Sequence, residues 1–354
     1  MTDPELSPVS LAVLNPRGRD PFLDYQELPS EPFPGIHAPV NFHAYAAATG
    51  GAFFDTTEEV IAQRDRFDAV LVLIRKRAWI SLKAVRTLQA AGIPVIVAWK
   101  ECSEAQIAKQ LRSLRAGMAY RKLIALADGI LSPTLPPPPR PAGISAHEFS
   151  AKLRTIPTPY PLELPGWDFS RPLETRSGIF VGTREFKTAS RNHLRAIQEL
   201  IAITEKIPVP RVTVINTEGK SGSRQLHSLA GQFPEGVLQI VESTLPYPTY
   251  MKLLATHRVV YQRDLSGVPG QVAGDCLLAR TLCAGGNSTL EKIAFNEFSA
   301  GENGSLDRLA AVLTDDAEYA AAIEASQDIA AEQLSYSAVA KRLAEWDILR
   351  KTNL

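Results

Sequence analysis

Two stretches of the sequence pair residues able to grip a phosphate with residues that let a backbone come close to it. In the first, Gly182-Thr183-Arg184-Glu185-Phe186-Lys187 follows a short apolar run, Gly178–Val181, and precedes a helical pattern that opens Ser190-Arg191-Asn192-His193. A helix N-terminus beside a glycine offers unpaired N–H groups to an anion. Arg184, Lys187 and Arg191 add fixed positive charge, and arginine can hold a phosphate by two parallel bonds. The natural guest is a diphosphate. The same residues read equally well as an exposed basic loop with Ser190 as a plain N-cap.

The second stretch runs from Asp264 to Asp275 and on to Gly285-Gly286-Asn287-Ser288. Gly267, Gly270 and Gly274 lack a β-carbon and so permit close approach of the chain to a ligand. Asp275 falls in the first turns of a helical pattern, where its carboxylate can accept two hydrogen bonds from a ribose diol. Gly285 and Gly286 lead into another helix with Asn287 or Ser288 as N-cap, which reads as a further anion-friendly N-terminus. The plainer alternative is a pair of tight strand-to-helix turns whose glycines serve packing.

These residues need elements to position them. Short apolar runs (Leu11–Leu14, Ala69–Ile74, Ile93–Trp99, then Gly178–Val181, Arg211–Ile215, Val237–Val241, Arg258–Tyr261 and Leu282–Ala284) alternate with helical patterns. That alternation predicts βαβ units, and continuous apolar runs predict parallel strands buried on both faces. Residues Ser103 to Ala127 read as one long helix. Leu135–Ala142 is a polyproline stretch and must be a stiff loop. The fold class is therefore α/β: two doubly wound Rossmann-like domains facing across a cleft, with a C-terminal helical tail. We place an N-terminal domain at 1–165 and a C-terminal domain at 166–336. Ligands of such sheets bind beyond the carboxyl ends of the strands, where both stretches fall.

Composition limits the function classes. In 354 residues, 38 Lys and Arg balance 38 Asp and Glu, so the chain lacks the gross basic excess of many nucleic-acid binders. Its 26 prolines exceed the usual ~5%, concentrated in the 135–142 loop and around 155–172. Three cysteines, Cys102, Cys276 and Cys283, make no disulfide framework, and no signal peptide or membrane-spanning run is evident. A cytoplasmic location is expected, with room for peripheral contact at the inner face of a membrane. The six histidines have no metal-ligand spacing and no D-x-D occurs, so neither a metal nor another cofactor is expected.

The order Asp128-Gly-Ile-Leu-Ser-Pro, Arg154-Thr-Ile-Pro-Thr-Pro-Tyr-Pro, Gly178-Ile-Phe-Val-Gly-Thr-Arg, Gly270 to Asp275 and Gly285-Gly286 resembles the GT-B fold nucleotide-sugar glycosyltransferases. It is most similar to their large retaining group, family four. The resemblance implies that Arg184 and Arg191 hold the diphosphate of the donor. It also implies that Asp275, five residues after Gly270, binds the nucleotide ribose in place of the second Glu of E-x7-E. The first Glu, which faces the donor sugar in the family, falls on Gly267, and Asp264 is the nearest acid before it. The family's histidine after the fourth strand falls at Trp99-Lys100-Glu101 and is likewise absent.

On this resemblance the donor site comprises Gly182, Arg184, Lys187, Arg191, Gly285, Gly286 and Asn287 for the diphosphate, with Asp264, Gly267 and Gly270 in the donor loop. The first domain presents the acceptor, a glycan or a lipid-linked or polysaccharide chain. His43, Asp20 and Glu101 are its candidate catalytic residues. The tail, 337–354, is expected to pack back on the first domain. Lys109, Arg112, Arg115, Arg121 and Lys122 share a helical stretch with Leu111, Leu114 and Met118, a pattern able to lie on an anionic membrane or simply to pack on its own sheet. The rivals to a transferase acting on a glycan or lipid-linked acceptor are a non-catalytic nucleotide-sugar-binding module and a nucleic-acid glycosyltransferase, the latter disfavoured by zero net charge.

Overall fold

The computed structural model describes residues 8–18, 23–27, 41–182, 189–300 and 306–350. Asp20, Arg184 and Lys187 lie outside these residues.

The first sheet contains β1 (Leu11–Leu14), β2 (Leu23–Asp24), β3 (Ala52–Phe54), β4 (Ala69–Ile74), β5 (Val95–Trp99), β6 (Gly129–Ser132) and β7 (Leu153–Thr155). Its spatial order is β2-β3-β1-β4-β5-β6-β7. All neighbours are parallel except β2, which runs antiparallel to β3. The strands are continuous apolar runs because both faces are covered. Val70, Val72 and Ile74 of β4 enter one core, and Ala69, Leu71 and Leu73 enter the other.

The second sheet contains β8 (Ile179–Val181), β9 (Val212–Ile215), β10 (Leu238–Val241), β11 (Val259–Tyr261) and β12 (Leu282–Ala284), in the order β10-β9-β8-β11-β12, all parallel. Strand order reverses between β8 and β11, so the chain leaves these two neighbours to opposite sides. That reversal opens a crevice at their carboxyl ends.

Two chain segments pass between the sheets side by side. Tyr160 donates its amide to the Leu334 carbonyl at 2.7 Å and bridges to Ser335. Beyond this crossing, the helix Tyr336–Ala344 packs against the helix Phe42–Ala48, and Tyr336, Val339, Leu343, Trp346 and Leu349 complete one of the first sheet's two cores. Gly129 at the start of β6 makes room for this tail, since a β-carbon there would lie 2.6 Å from the Trp346 ring.

The structure departs from the sequence reading in three places. The long helix expected from Ser103 to Ala127 is two, Glu104–Gln110 and Leu114–Leu126. Ser113 takes an extended backbone and its hydroxyl accepts from the Ala116 amide at 3.2 Å, so a cap interrupts an otherwise helical pattern. Strands β2 and β7 lack an apolar run because they are short edges, partly exposed. Strand β10, read from the sequence as Val237–Val241, starts at Leu238 and is a half-buried edge.

Candidate functional site

A cleft of about 510 Å³ lies between the carboxyl ends of the two sheets. Its floor on the second sheet is the helix Gln271–Ala279, which follows β11. Gly270, the N-cap, has φ 107°, a conformation that favours glycine, and a β-carbon there would meet the Ser288 hydroxyl at 2.4 Å. No side chain caps this helix. The first intrahelical bond, Gly274 N–H to the Gly270 carbonyl, is 3.0 Å, so the amides of Gln271, Val272 and Ala273 precede the helical ladder. Gly270, Gln271 and Val272 line the cleft. Gly182, at the end of β8, lets the helix begin this close to the sheet, because a β-carbon would sit 2.6 Å from Val260 and 2.9 Å from Val272.

Arg191 and Asp275 flank this helix start. The Arg191 guanidinium is ion-paired with the buried carboxylate of Asp264. Asp264 also accepts from the Ser266 amide at 2.9 Å and from the Ser266 hydroxyl. Asp264 therefore orients a cation and a turn; it does not stand free as a sugar-facing acid. The Asp275 carboxylate accepts the Tyr247 hydroxyl at 3.0 Å. Burial and the neighbouring Asp275 charge push the Tyr247 phenol well above its ordinary range, so it stays protonated and donates.

The Gly285-Gly286-Asn287 turn does not supply the free donors expected of it. The amide of Gly285 goes to the Phe298 carbonyl (2.8 Å), that of Gly286 to Glu291 (3.0 Å), that of Asn287 to the Asp264 carbonyl (2.9 Å) and that of Ser288 to Glu291 (3.1 Å). Glu291 is fully buried and forms a capping box with Ser288. Burial raises its carboxyl pKa, while its bonds from Ser288 pull the other way. The signal for this closed turn was in the sequence, since Ser288-Thr-Leu-Glu291 has capping-box spacing.

Two further glycines face protein, not ligand. A β-carbon on Gly274 would lie 1.8 Å from the Tyr160 ring, and one on Gly267 would lie 3.2 Å from Pro136 of the polyproline loop. The same loop reaches the second sheet's side through the Leu135 amide, which donates to the Thr289 hydroxyl at 3.0 Å. The position where the resemblance implies an acid is thus covered by Pro136.

The opposite wall carries His43, Lys100 and Glu101. His43 stacks on Phe53 at 3.7 Å between ring centroids, and its Nδ1 lies 3.2 Å from the Tyr25 hydroxyl. Glu101 accepts from the Gln110 side chain at 3.2 Å. Tyr247, Tyr250, Gln262 and Lys100 also line the cleft and were not singled out from sequence. Lys100 and Gln262 each follow a buried strand, and that position was their only signal. Among the described residues, no three His, Cys, Asp or Glu side chains gather to hold a metal ion.

No protein-family model matches the chain, and no curated protein matches it. Solved structures do. HepE of Anabaena, solved with UDP, superposes with a TM-score of 0.61 at 11% identity over 98% of this chain and 100% of its own. A UDP-forming α,α-trehalose-phosphate synthase of Burkholderia vietnamiensis gives 0.60 at 12% identity over 97% and 99%. One of Burkholderia xenovorans, solved with glucose-6-phosphate, gives 0.59 at 12% over 96% and 99%. The likeness spans both sheets and the tail, and the chain has the two-domain GT-B fold.

Proposed function

We propose that the protein is a glycosyltransferase that moves a sugar from a nucleotide-diphosphate donor to a glycan or lipid-linked acceptor. One observation carries the reading: an uncapped helix N-terminus at Gly270–Ala273 opens on the cleft between Arg191 and Asp275. The diphosphate would lie against those amides and the Arg191 guanidinium, and the ribose against Asp275, which Tyr247 holds in place. As the glycosidic bond breaks, charge develops on the departing phosphate oxygen. Fixed amide dipoles and a guanidinium already aimed there stabilise it without rearranging. This assigns to amides and arginine the neutralisation that a metal would otherwise supply. Arg184, Lys187 and Asp20, outside the described residues, extend the same proposal from the sequence that follows β8 and β1. On the acceptor wall His43 is the candidate proton acceptor, its Nδ1 lying 3.2 Å from the Tyr25 hydroxyl. HepE was solved with UDP and with UDP-glucose, which makes UDP the first nucleotide to test.

Calorimetric titration with UDP in EDTA is expected to show one site. Arg191→Ala is expected to weaken it roughly 10- to 100-fold, as loss of a charge-assisted hydrogen bond of about 1.5–3 kcal/mol implies. Asp275→Asn is expected to weaken uridine and UDP together. Binding of UDP that is unchanged in both variants overturns the site.

A second reading is favoured by Gly267. With Pro136 against it and no carboxylate in its place, the fold could hold a nucleotide sugar without turning it over. Hydrolysis or transfer from UDP-glucose above background decides for the enzyme; tight binding with neither decides for the binding module.

A further inference from the structure

The stretch from Ala105 to Ala127 carries Lys109, Arg112, Arg115, Arg121 and Lys122 and not one acidic residue, in a chain whose net charge is zero. The helix Leu114–Leu126 within it buries Ala116, Ala119, Tyr120, Leu123 and Ile124, the last four joining the first sheet's core. Its outer arc holds Leu114 and Met118, one turn apart, with relative exposures of 82% and 53%. Helical geometry places Arg121 and Lys122 on the same arc, one further turn along. All four side chains are exposed, and the inward face is complete without them. Two large apolar side chains presented to water beside a cluster of unopposed cations is a costly arrangement for a surface that meets only water.

The neighbourhood continues the pattern. A groove of about 610 Å³ adjoins the arc, lined by Leu114, Met118, Tyr120 and Arg121 on one side and by Pro139 and Arg140 on the other. Between Asp128 and Glu148 the chain adds Arg140 and no acid. Arg115 is laid over the Trp79 ring at 4.3 Å, which fixes a cation and an indole together at the edge of this face. Among the described residues, no helix is long and apolar enough to cross a membrane.

We infer that this face docks on an anionic lipid bilayer, Leu114 and Met118 entering the headgroup boundary while Arg112, Arg121, Lys122 and Arg140 meet lipid phosphates. The charge is complementary to such a surface: many negative headgroups, no fixed stereochemistry, an apolar layer a few ångströms below. Docking there also has a geometric meaning for the cleft. The helix Glu104–Gln110 joins the two, with Gln106 lining the cleft and Leu111 at the groove, and its seven residues span about 10 Å. A protein seated by this face holds its first-domain wall close to the lipid headgroups, within reach of an acceptor anchored in the bilayer. The inference extends the acceptor side of the proposed function, but the docking itself needs no nucleotide and is tested without one.

The test is co-sedimentation of the full chain with vesicles of 30% phosphatidylglycerol in phosphatidylcholine, against pure phosphatidylcholine vesicles. The expected result is binding to the anionic vesicles alone, at least tenfold stronger in 50 mM than in 500 mM NaCl. Leu114→Ser with Met118→Ser is expected to lower binding at least tenfold, and Arg121→Gln with Lys122→Gln to do the same. Both pairs are solvent-exposed, and an unchanged circular-dichroism melt separates a lost surface from a lost fold. The inference is overturned if the wild type stays in the supernatant with both vesicle types, or if the two apolar changes leave binding intact. It is equally overturned if the face mediates self-association instead, seen as a concentration-dependent dimer that the Leu114→Ser, Met118→Ser pair dissolves while vesicles bind neither protein. UDP titration of the same samples is independent, so loss of lipid binding with UDP binding intact separates this inference from the donor reading.

Discussion

A buried histidine just before β11 makes a pH-dependent contribution to the stability of the fold. His257 is buried, its Nδ1 near the Leu253 carbonyl at 3.0 Å and its Nε2 2.8 Å from the Thr213 hydroxyl. Burial, aided by the charge of Arg211, lowers its pKa from 6.5 to about 4. The unfolded chain binds this proton more readily than the folded one, so the contribution is complete above pH 6.5 and shrinks as pH falls toward 4. A shift of this size corresponds to roughly 3 kcal/mol. We expect the stability difference between wild type and His257→Gln, from urea unfolding, to be larger at pH 7.5 than at pH 4.5. Equal differences at the two pH values would falsify the assignment. Glu291 works with the opposite sign, since its raised carboxyl pKa favours the protonated folded state, which is why the paired comparison is needed. At this scale the candidate site was only partly legible. Asp275, Arg191 and Gly270 were found because they follow strands, where a doubly wound sheet opens. The role of Asp264 was not, because its partner Arg191 is 73 residues away and only the folded chain brings them together.

Glycines mark where elements come close, and the sequence does not say to what. Gly270 faces the cleft at a helix start, whereas Gly274, one turn on in the same helix, accommodates Tyr160, and Gly267 accommodates Pro136. All three read alike as sequence. Helix Leu114–Leu126 supplies the contrast, because Gly117 has nothing within 4 Å of its would-be β-carbon. Gly274→Ala and Gly117→Ala should therefore move stability in opposite directions. The first forces a methyl into the Tyr160 ring and is expected to cost about 1–3 kcal/mol. The second removes an entropic penalty inside a helix and is expected to add about 0.5–1 kcal/mol. Urea midpoints shifting the same way would sink the packing account. Elements themselves were read well wherever both faces of a strand are covered, and poorly at edges such as β2 and β7, whose hydrogen bonds come from neighbours the sequence does not name.

At the scale of the whole molecule, one tie between the two sheets lies where the chain crosses between them. The linker at Tyr160 and the returning chain at Leu334–Ser335 run together between the sheets, and Tyr160 also touches the helix that starts at the cleft: its ring faces Gly274 and its hydroxyl reaches the Gln271 carbonyl at 3.4 Å. The tail beyond this tie is structural, not ornamental. Trp346 is buried against Gly129, and Trp346→Ala is expected to cost about 3–5 kcal/mol in urea unfolding. A midpoint equal to wild type would mean that the tail does not seal the first core.

That seal also fixes an order of events at the ribosome. The first sheet is synthesised first, yet the residues that close one of its two cores, Tyr336 to Leu349, emerge only after the entire second sheet. Roughly 180 residues separate β7 from the tail, which at ~5–20 residues per second is roughly 10–40 s of translation. During that interval the second sheet can complete its core while the first waits with an apolar face open. The nascent chain is then most exposed to misassociation at its older half.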